Sequence, residues 1–221
     1  MLPLLVLRPE PGASRTADKA RKLGLAPVLL PLFAAVARPW SGPDPDTFDA
    51  LMLTSANASR HGGAALARYT GLPAYAVGEA TADAARSAGF AQVTVGDADA
   101  AALVARIERD GHRRVLHLAG ADRIDVASAC AITAVTVYAV EDCPVDLPTG
   151  DAVALLHSPR AARRFAAICP ARERIDIAAI SSAAAAAAGP GWRSVHAVAR
   201  PDDDAMLELA ACLCNRDGDE R

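Results

Sequence analysis

Short apolar runs recur along the chain, at residues 4–7, 26–33, 50–53, 74–77, 93–95, 115–118 and 134–140, and each is followed by a polar or glycine-containing break. Continuous apolar runs of this length are what strands buried on both faces of a parallel sheet look like. Between them lie segments with helical patterning, at 14–23, after 56 to about 69, after 78 to 88, and at 99–110. Gly24 and Gly89 stand where a helix C-cap glycine belongs. Strands alternating with helices predict parallel sheets with right-handed crossovers. The run 183–188 is all alanine, which makes it a helix former rather than a flexible tract, and Gly189-Pro190-Gly191 ends it. Residues 143–150, with Pro144 and Pro148, read as a linker, and 215–221 as a solvated tail.

The stretch 48–60, FDALMLTSANASR, is the clearest strand-to-helix junction. Its apolar run stops at Thr54-Ser55, and Asn57 follows just before helical patterning; Ser, Thr and Asn are the side chains a helix N-cap wants. A helix start carries unpaired N–H groups and a positive dipole end, which together suit an anion. The chain repeats this junction about a hundred residues later, Ser158 falling on Ser55 and Arg160 on Asn57. At the same offset Ala179-Ile180-Ser181-Ser182 covers Ala76-Val77-Gly78-Glu79, and Met206-Leu207 covers Leu103-Val104. A constant offset across separate segments is the signature of an internal duplication of one α/β unit.

The second copy, from residue 151, lacks the elements that close the first, and the N-terminal segment 4–33 is their natural donor. The expected fold is therefore α/β with two similar parallel-sheet lobes joined by a two-stranded linker and an active-site cleft between them. One lobe is expected from residues 1–35 plus 142–221, the other from 38–136, with linkers near 34–40 and 137–143.

Composition narrows the chemistry. Hydrophobic residues make up 52% of the 221 positions but aromatics only 4%, so the core is Ala, Leu and Val. A net charge of −3 lacks the basic excess of a general nucleic-acid binder, so an anionic ligand would be held locally by amides and a few arginines. The five cysteines are odd in number and form no CxxC pair, and the histidines have no partner at ligand or triad spacing; no metal site is expected. No stretch approaches the ~20 apolar residues of a membrane span, and the opening MLPLLVL is short for a signal peptide. A cytoplasmic protein is expected. No strand is followed by a GxGxxG or GxxxxGK[ST] phosphate loop.

The order and spacing of LRPEPG, LMLTSANA, YAVGEATADAARSAGF, LHLAGADR, TVYAVED, LLHSPRAARRF, ISSAAAAA and ARPDDDAMLELA, which together span nearly the whole chain, resemble the uroporphyrinogen-III synthase family. The resemblance implies a cofactor-free lyase of tetrapyrrole (heme) biosynthesis that acts as a monomer. Its substrate would be hydroxymethylbilane, a linear tetrapyrrole with eight carboxylates, closed with inversion of the terminal pyrrole ring. It implies substrate contacts at Arg8, Thr54, Ser55 and Asn57, at Gly78 and Thr81, and at Gly120 and Arg123. In the second copy the corresponding contacts are Ser158, Arg160, Ser181 and Ser182. Tyr138, on the strand AVTVYAV, is the candidate acid for the departing hydroxyl. Where many members carry Thr after the ISS segment this chain has Ala183 and Ala184, leaving any hydroxyl role to Ser181 or Ser182. The same residues also fit plain structural roles as caps, turns and a solvated arginine. A two-lobed binding protein for a small polyanion, without catalysis, is the competing reading.

Overall fold

The computed structural model describes residues 1–96 and 99–215 and divides into two compact units. One comprises Met1–Ala34 with the chain from Asp142 onward; the other is Ala35–Glu141. Each unit is a mainly parallel sheet with helices packed on it.

In the first unit the strands β1 (Leu4–Val6), β2 (Pro27–Leu29), β9 (Ala152–Leu156), β10 (Ile175–Ala179) and β11 (Ser194–Ala197) lie in the order β11-β10-β9-β1-β2, each pairing parallel to its neighbour. The chain ends thus meet in one sheet, β1 from the N-terminal segment pairing with β9. Helix α1 (Gly12–Lys22) crosses from β1 to β2. Ala13 and Ala20 of α1 share a buried apolar cluster with Met206, Leu207, Ala210 and Leu213 of α7 (Asp203–Asn215), over Leu4, Val6, Val153 and Leu155 of the sheet. On α5 (Pro159–Ile168), Phe165 is buried and stacks on Trp192, their centroids 5.2 Å apart. Helix α6 (Ser182–Ala188) follows β10.

The second unit holds β3 (Phe33–Ala37), β4 (Ala50–Leu53), β5 (Ala74–Val77), β6 (Val93–Gly96), β7 (Arg114–Gly120) and β8 (Ala131–Asp142) in the order β3-β8-β7-β4-β5-β6. From β8 to β6 all pairings are parallel. One sheet face packs against α2 (Ala56–His61) and α3 (Glu79–Ser87), through Leu51, Leu53, Ala58, Ala85, Leu116 and Leu118. On the other face Leu103, Val104 and Ile107 of α4 (Ala100–Arg109) pack against Ala50, Met52 and Val115.

Four sequence expectations need correction. The run 26–33 is not one strand: β2 stops at Leu29 and β3 begins at Phe33, in different sheets. Pro31 lies between them, and a proline has no N–H to give a ladder. The helix expected to reach about residue 69 ends at His61, and a 3-10 helix (Ala64–Tyr69) follows a break at Gly62-Gly63, where Gly63 has φ +63°. The strand expected at 134–140 is longer, 131–142, and the tail expected from Asn215 begins inside α7; residues 216–221 lie outside the described residues. Among the described residues all five cysteines are free, no group of His, Cys, Asp and Glu is arranged to hold a metal ion, and no helix is long and apolar enough to cross a membrane.

Candidate functional site

A cavity of about 290 Å³ opens in the second unit, beyond the carboxyl ends of β4 and β7 and beside β8. Its lining includes Thr54, Ser55, Gly120, Asp122, Arg123 and Tyr138, so five sequence-nominated residues come together here. Thr54 and Ser55 arrive because β4 ends at Leu53 and α2 starts at Ala56. Ser55, with extended backbone, is the N-cap: its Oγ accepts from the Asn57 N–H at 3.2 Å. Asn57 is therefore not the cap but a first-turn residue of α2. Thr54 caps nothing; its Oγ1 lies 3.1 Å from Nε2 of His117.

Tyr138 owes its place to an irregularity between β7 and β8. Pairing runs in step to Ala119–Thr136, then skips a residue so that Gly120 faces Tyr138. Such a bulge re-aims the side chains beyond it. The Tyr138 ring comes to lie over Gly120, where a Cβ would stand 2.7 Å from the ring Cζ and 2.8 Å from the hydroxyl. Only glycine leaves that space. The His61 ring from α2 lies alongside, centroid to centroid 6.2 Å. Arg123, in the irregular segment 121–130 between β7 and β8, donates to Asp125 at 3.2 Å and to Thr136 Oγ1 at 3.4 Å, with 31% of its side chain exposed. It reaches both this cavity and a second one of about 290 Å³, lined by Met52, His117, Ile124, Asp125 and Ile132 among others.

His117 was not singled out from sequence. It is only 5% exposed, in the middle of β7. Burial, reinforced by the Arg123 charge and only partly opposed by Asp125, pushes its imidazole down to about 4. It is neutral at pH 7. A lone histidine in the apolar run VLHLA reads as an ordinary core residue, and its partner Thr54 is 63 positions away.

The other nominated residues of this unit lie elsewhere. Gly78 is the N-cap of α3 with φ +72°, a conformation that glycine adopts without a steric penalty. Thr81, expected as a possible cap, is buried in the first turn, and α3 has no side-chain cap bond.

In the first unit Ser158 and Ser181 cap α5 and α6, accepting from Ala161 N–H at 3.1 Å and Ala184 N–H at 3.3 Å. Ser182 is exposed, and Arg160 places its guanidinium 4.7 Å from the Phe33 ring centre. Arg8, expected at a strand end as a contact for a substrate carboxylate, is engaged within its own unit. Its Nη1 donates to Asp203 Oδ1 and to Thr16 Oγ1, both at 3.2 Å. Thr16 also donates to Asp203, and His157 Nε2 lies 2.9 Å from the same carboxylate. Burial acts to raise the Asp203 carboxyl, but the bonds from His157 and Thr16 and the Arg8 charge outweigh it, and the net displacement is downward. Burial lowers His157 against the pull of Asp203. A carboxylate only accepts, so the neutral His157 carries its proton on Nε2.

Parallel α/β units with polar loops clustered at strand carboxyl ends define a class of ligand-binding proteins. Residues 14–208 match the model of a protein family described as Uroporphyrinogen-III synthase HemD. The chain belongs to the uroporphyrinogen-III synthase family. No curated protein matches the sequence. Among solved structures, uroporphyrinogen-III synthetase from Helicobacter pylori aligns with TM-score 0.65 and 19% identity over 96% of this chain and 99% of its own. A mutant uroporphyrinogen III synthase from Thermus thermophilus gives TM-score 0.48 and 14% identity over 96% and 99%.

Proposed function

We propose that this chain is a uroporphyrinogen-III synthase, a lyase closing hydroxymethylbilane to uroporphyrinogen III with the terminal ring inverted. The family match over residues 14–208 carries the reading. The cavity supports it by gathering a phenol, a guanidinium, two hydroxyls and a glycine-lined wall in one place. We assign Thr54, Ser55, Gly120, Arg123 and Tyr138 to the substrate. The same reading takes the protein as a monomer that needs no nucleic acid.

The chemistry asks for a folded chain, gripped carboxylates and a proton for the departing hydroxyl. Arg123 has a charged fork suited to a carboxylate, and its bonds to Asp125 and Thr136 hold that fork at the cavity wall. Tyr138 brings a phenol hydroxyl to the cavity wall, and that O–H can donate to the leaving hydroxyl and help form the azafulvene. The far ring then attacks through its substituted carbon, and the spiro intermediate breaks and recloses inverted. Gly120 keeps the ring over the cavity wall.

The test is the isomer formed from freshly made hydroxymethylbilane, because closure without enzyme gives type I. Type III product is expected, and type I alone would sink the reading. Tyr138→Phe keeps the ring and removes the hydroxyl. It should slow type III formation about tenfold, at or below the low end for a positioned acid, and leave the melting temperature nearly unchanged. Undiminished type III output would reduce Tyr138 to a packed aromatic.

A further inference from the structure

The unexplained group beside the cavity is His117. By the register of β9 on β1 and of β4 on β7, the two copies place His117 where the first unit has Val6. Val6 is fully buried in the apolar cluster beneath α1. In the second unit no helix joins β7 to β8, and the irregular segment 121–130 passes over the corresponding position. A buried imidazole there needs a partner, since burying an unpaired polar group is costly. It has one in Thr54 Oγ1, at 3.1 Å, and Thr54 lines the cavity.

We propose that His117 is a positioning residue for substrate: its Nε2–H donates to Thr54 Oγ1 and turns the Thr54 hydroxyl proton into the cavity, toward a substrate carboxylate. This rests on the function proposed above. A threonine hydroxyl has one proton and two lone pairs. If the imidazole donates, the hydroxyl proton is released to the ligand; if the imidazole accepts, that proton is consumed and an oxygen lone pair faces an anion. A polycarboxylate can only accept, so the first arrangement is the one that binds it. Neutrality is built in. The charged groups acting on the ring are Arg123 and Asp125 from the segment above it, while its sheet neighbours Met52 and Ala134 carry no charge. With the ring displaced to about 4, its proton count does not change near pH 7.

Nitrogen-15 spectra of histidine-labelled full-length protein read the tautomer directly, without turnover. At pH 7 the His117 ring should be neutral with its proton on Nε2, and Thr54→Val should move the Nε2 resonance. In kinetics, His117→Leu and Thr54→Val should each raise KM for hydroxymethylbilane about tenfold, the loss of one charge-assisted hydrogen bond, with kcat changed by less than about twofold. The double variant should be no worse than Thr54→Val alone, and His117→Gln, whose amide can donate from nearly the same point, should recover most of the loss. A purely structural histidine would lower stability without that non-additivity. A proton on Nδ1, an unchanged KM in His117→Leu, or equal effects in the presence and absence of the Thr54 hydroxyl would each overturn the proposal. Should His117→Leu fail to fold, the tautomer and the Thr54→Val shift decide it. If the wild-type protein yields only type I product, the functional reading fails while the tautomer result stands by itself.

Discussion

The two units are built on one plan and use it differently. Strands β9, β10 and β11 with α5, α6 and α7 correspond to β4, β5 and β6 with α2, α3 and α4, and β1 takes the place of β7. In the first unit α1 covers the face beside β1, Val6 packs beneath it, and the polar groups at the strand ends bind one another: Arg8, Thr16 and His157 all meet Asp203. In the second unit segment 121–130 replaces that helix, a histidine replaces the valine, and the strand-end groups line cavities. Thr54 and His157 hold the same position in the repeat, yet one faces a cavity and the other a carboxylate. An apolar lining under a helix favours stability; a polar lining under an irregular segment leaves room and donors for a ligand.

That contrast is open to test at the valine-to-histidine exchange, where the largest effect is expected. The unfolded imidazole takes up a proton near pH 6.5 and the folded one only near 4. Between those values the unfolded state binds more protons, so stability falls as the pH drops through the window. Two and a half pH units correspond to roughly 3 kcal/mol of stability lost between pH 7 and pH 4. Chemical denaturation at both values should show this loss in the wild type. His117→Gln should lack that component while keeping whatever the carboxylates contribute. An equal acid loss in the variant would mean that His117 is already charged in the folded protein.

Next in size is the Gly120 wall. A methyl at Gly120 collides with the end of a rotatable side chain, so the Tyr138 ring can swing away rather than unfold the sheet. Gly120→Ala should therefore cost only about 1–2 kcal/mol in stability. It should cut type III formation by roughly a hundredfold, because it displaces the proposed acid together with its packing. If its effect on turnover were no larger than that of Tyr138→Phe, ring placement would matter less than the hydroxyl itself.

Much of this architecture was legible in the chain, because it depends on local pattern. The buried strands are uninterrupted apolar runs, and Ser55, Ser158 and Ser181 announce helix starts by side-chain type. The duplication showed that they are equivalent. What local pattern could not show were meetings across long separations. Arg8 ends a strand and looks uncommitted because Asp203 is 195 positions away, within an acidic run that reads as a helix start. His117 looks like core because its partner is on another strand. The Gly120–Tyr138 contact depends on a skipped residue in the pairing, which no composition reveals. One clue was available: His117 is the only polar residue in the run VLHLA.

The smallest effect belongs to the paired caps, and it divides structure from ligand most sharply. Ser55 and Ser158 occupy the same position in the repeat, and each accepts an N–H of the first helical turn. Removing either hydroxyl should lower stability by about 1 kcal/mol, the usual worth of an N-cap. Helix α5 has ten residues and Pro159 preset in its first turn, whereas α2 has six, so the thermal cost should be similar or slightly larger for Ser55→Ala. Binding should separate them, because Ser55 lines the cavity of its unit beside Thr54 and Tyr138. Ser55→Ala should raise KM for hydroxymethylbilane by a factor of about three to ten, one hydrogen bond's worth, and the KM response to Ser158→Ala should be the smaller of the two. Melting curves and initial rates on the same two preparations suffice. Equal rises in KM would mean that both copies of the junction grip carboxylates, and that the asymmetry drawn between the units stops short of their helix starts.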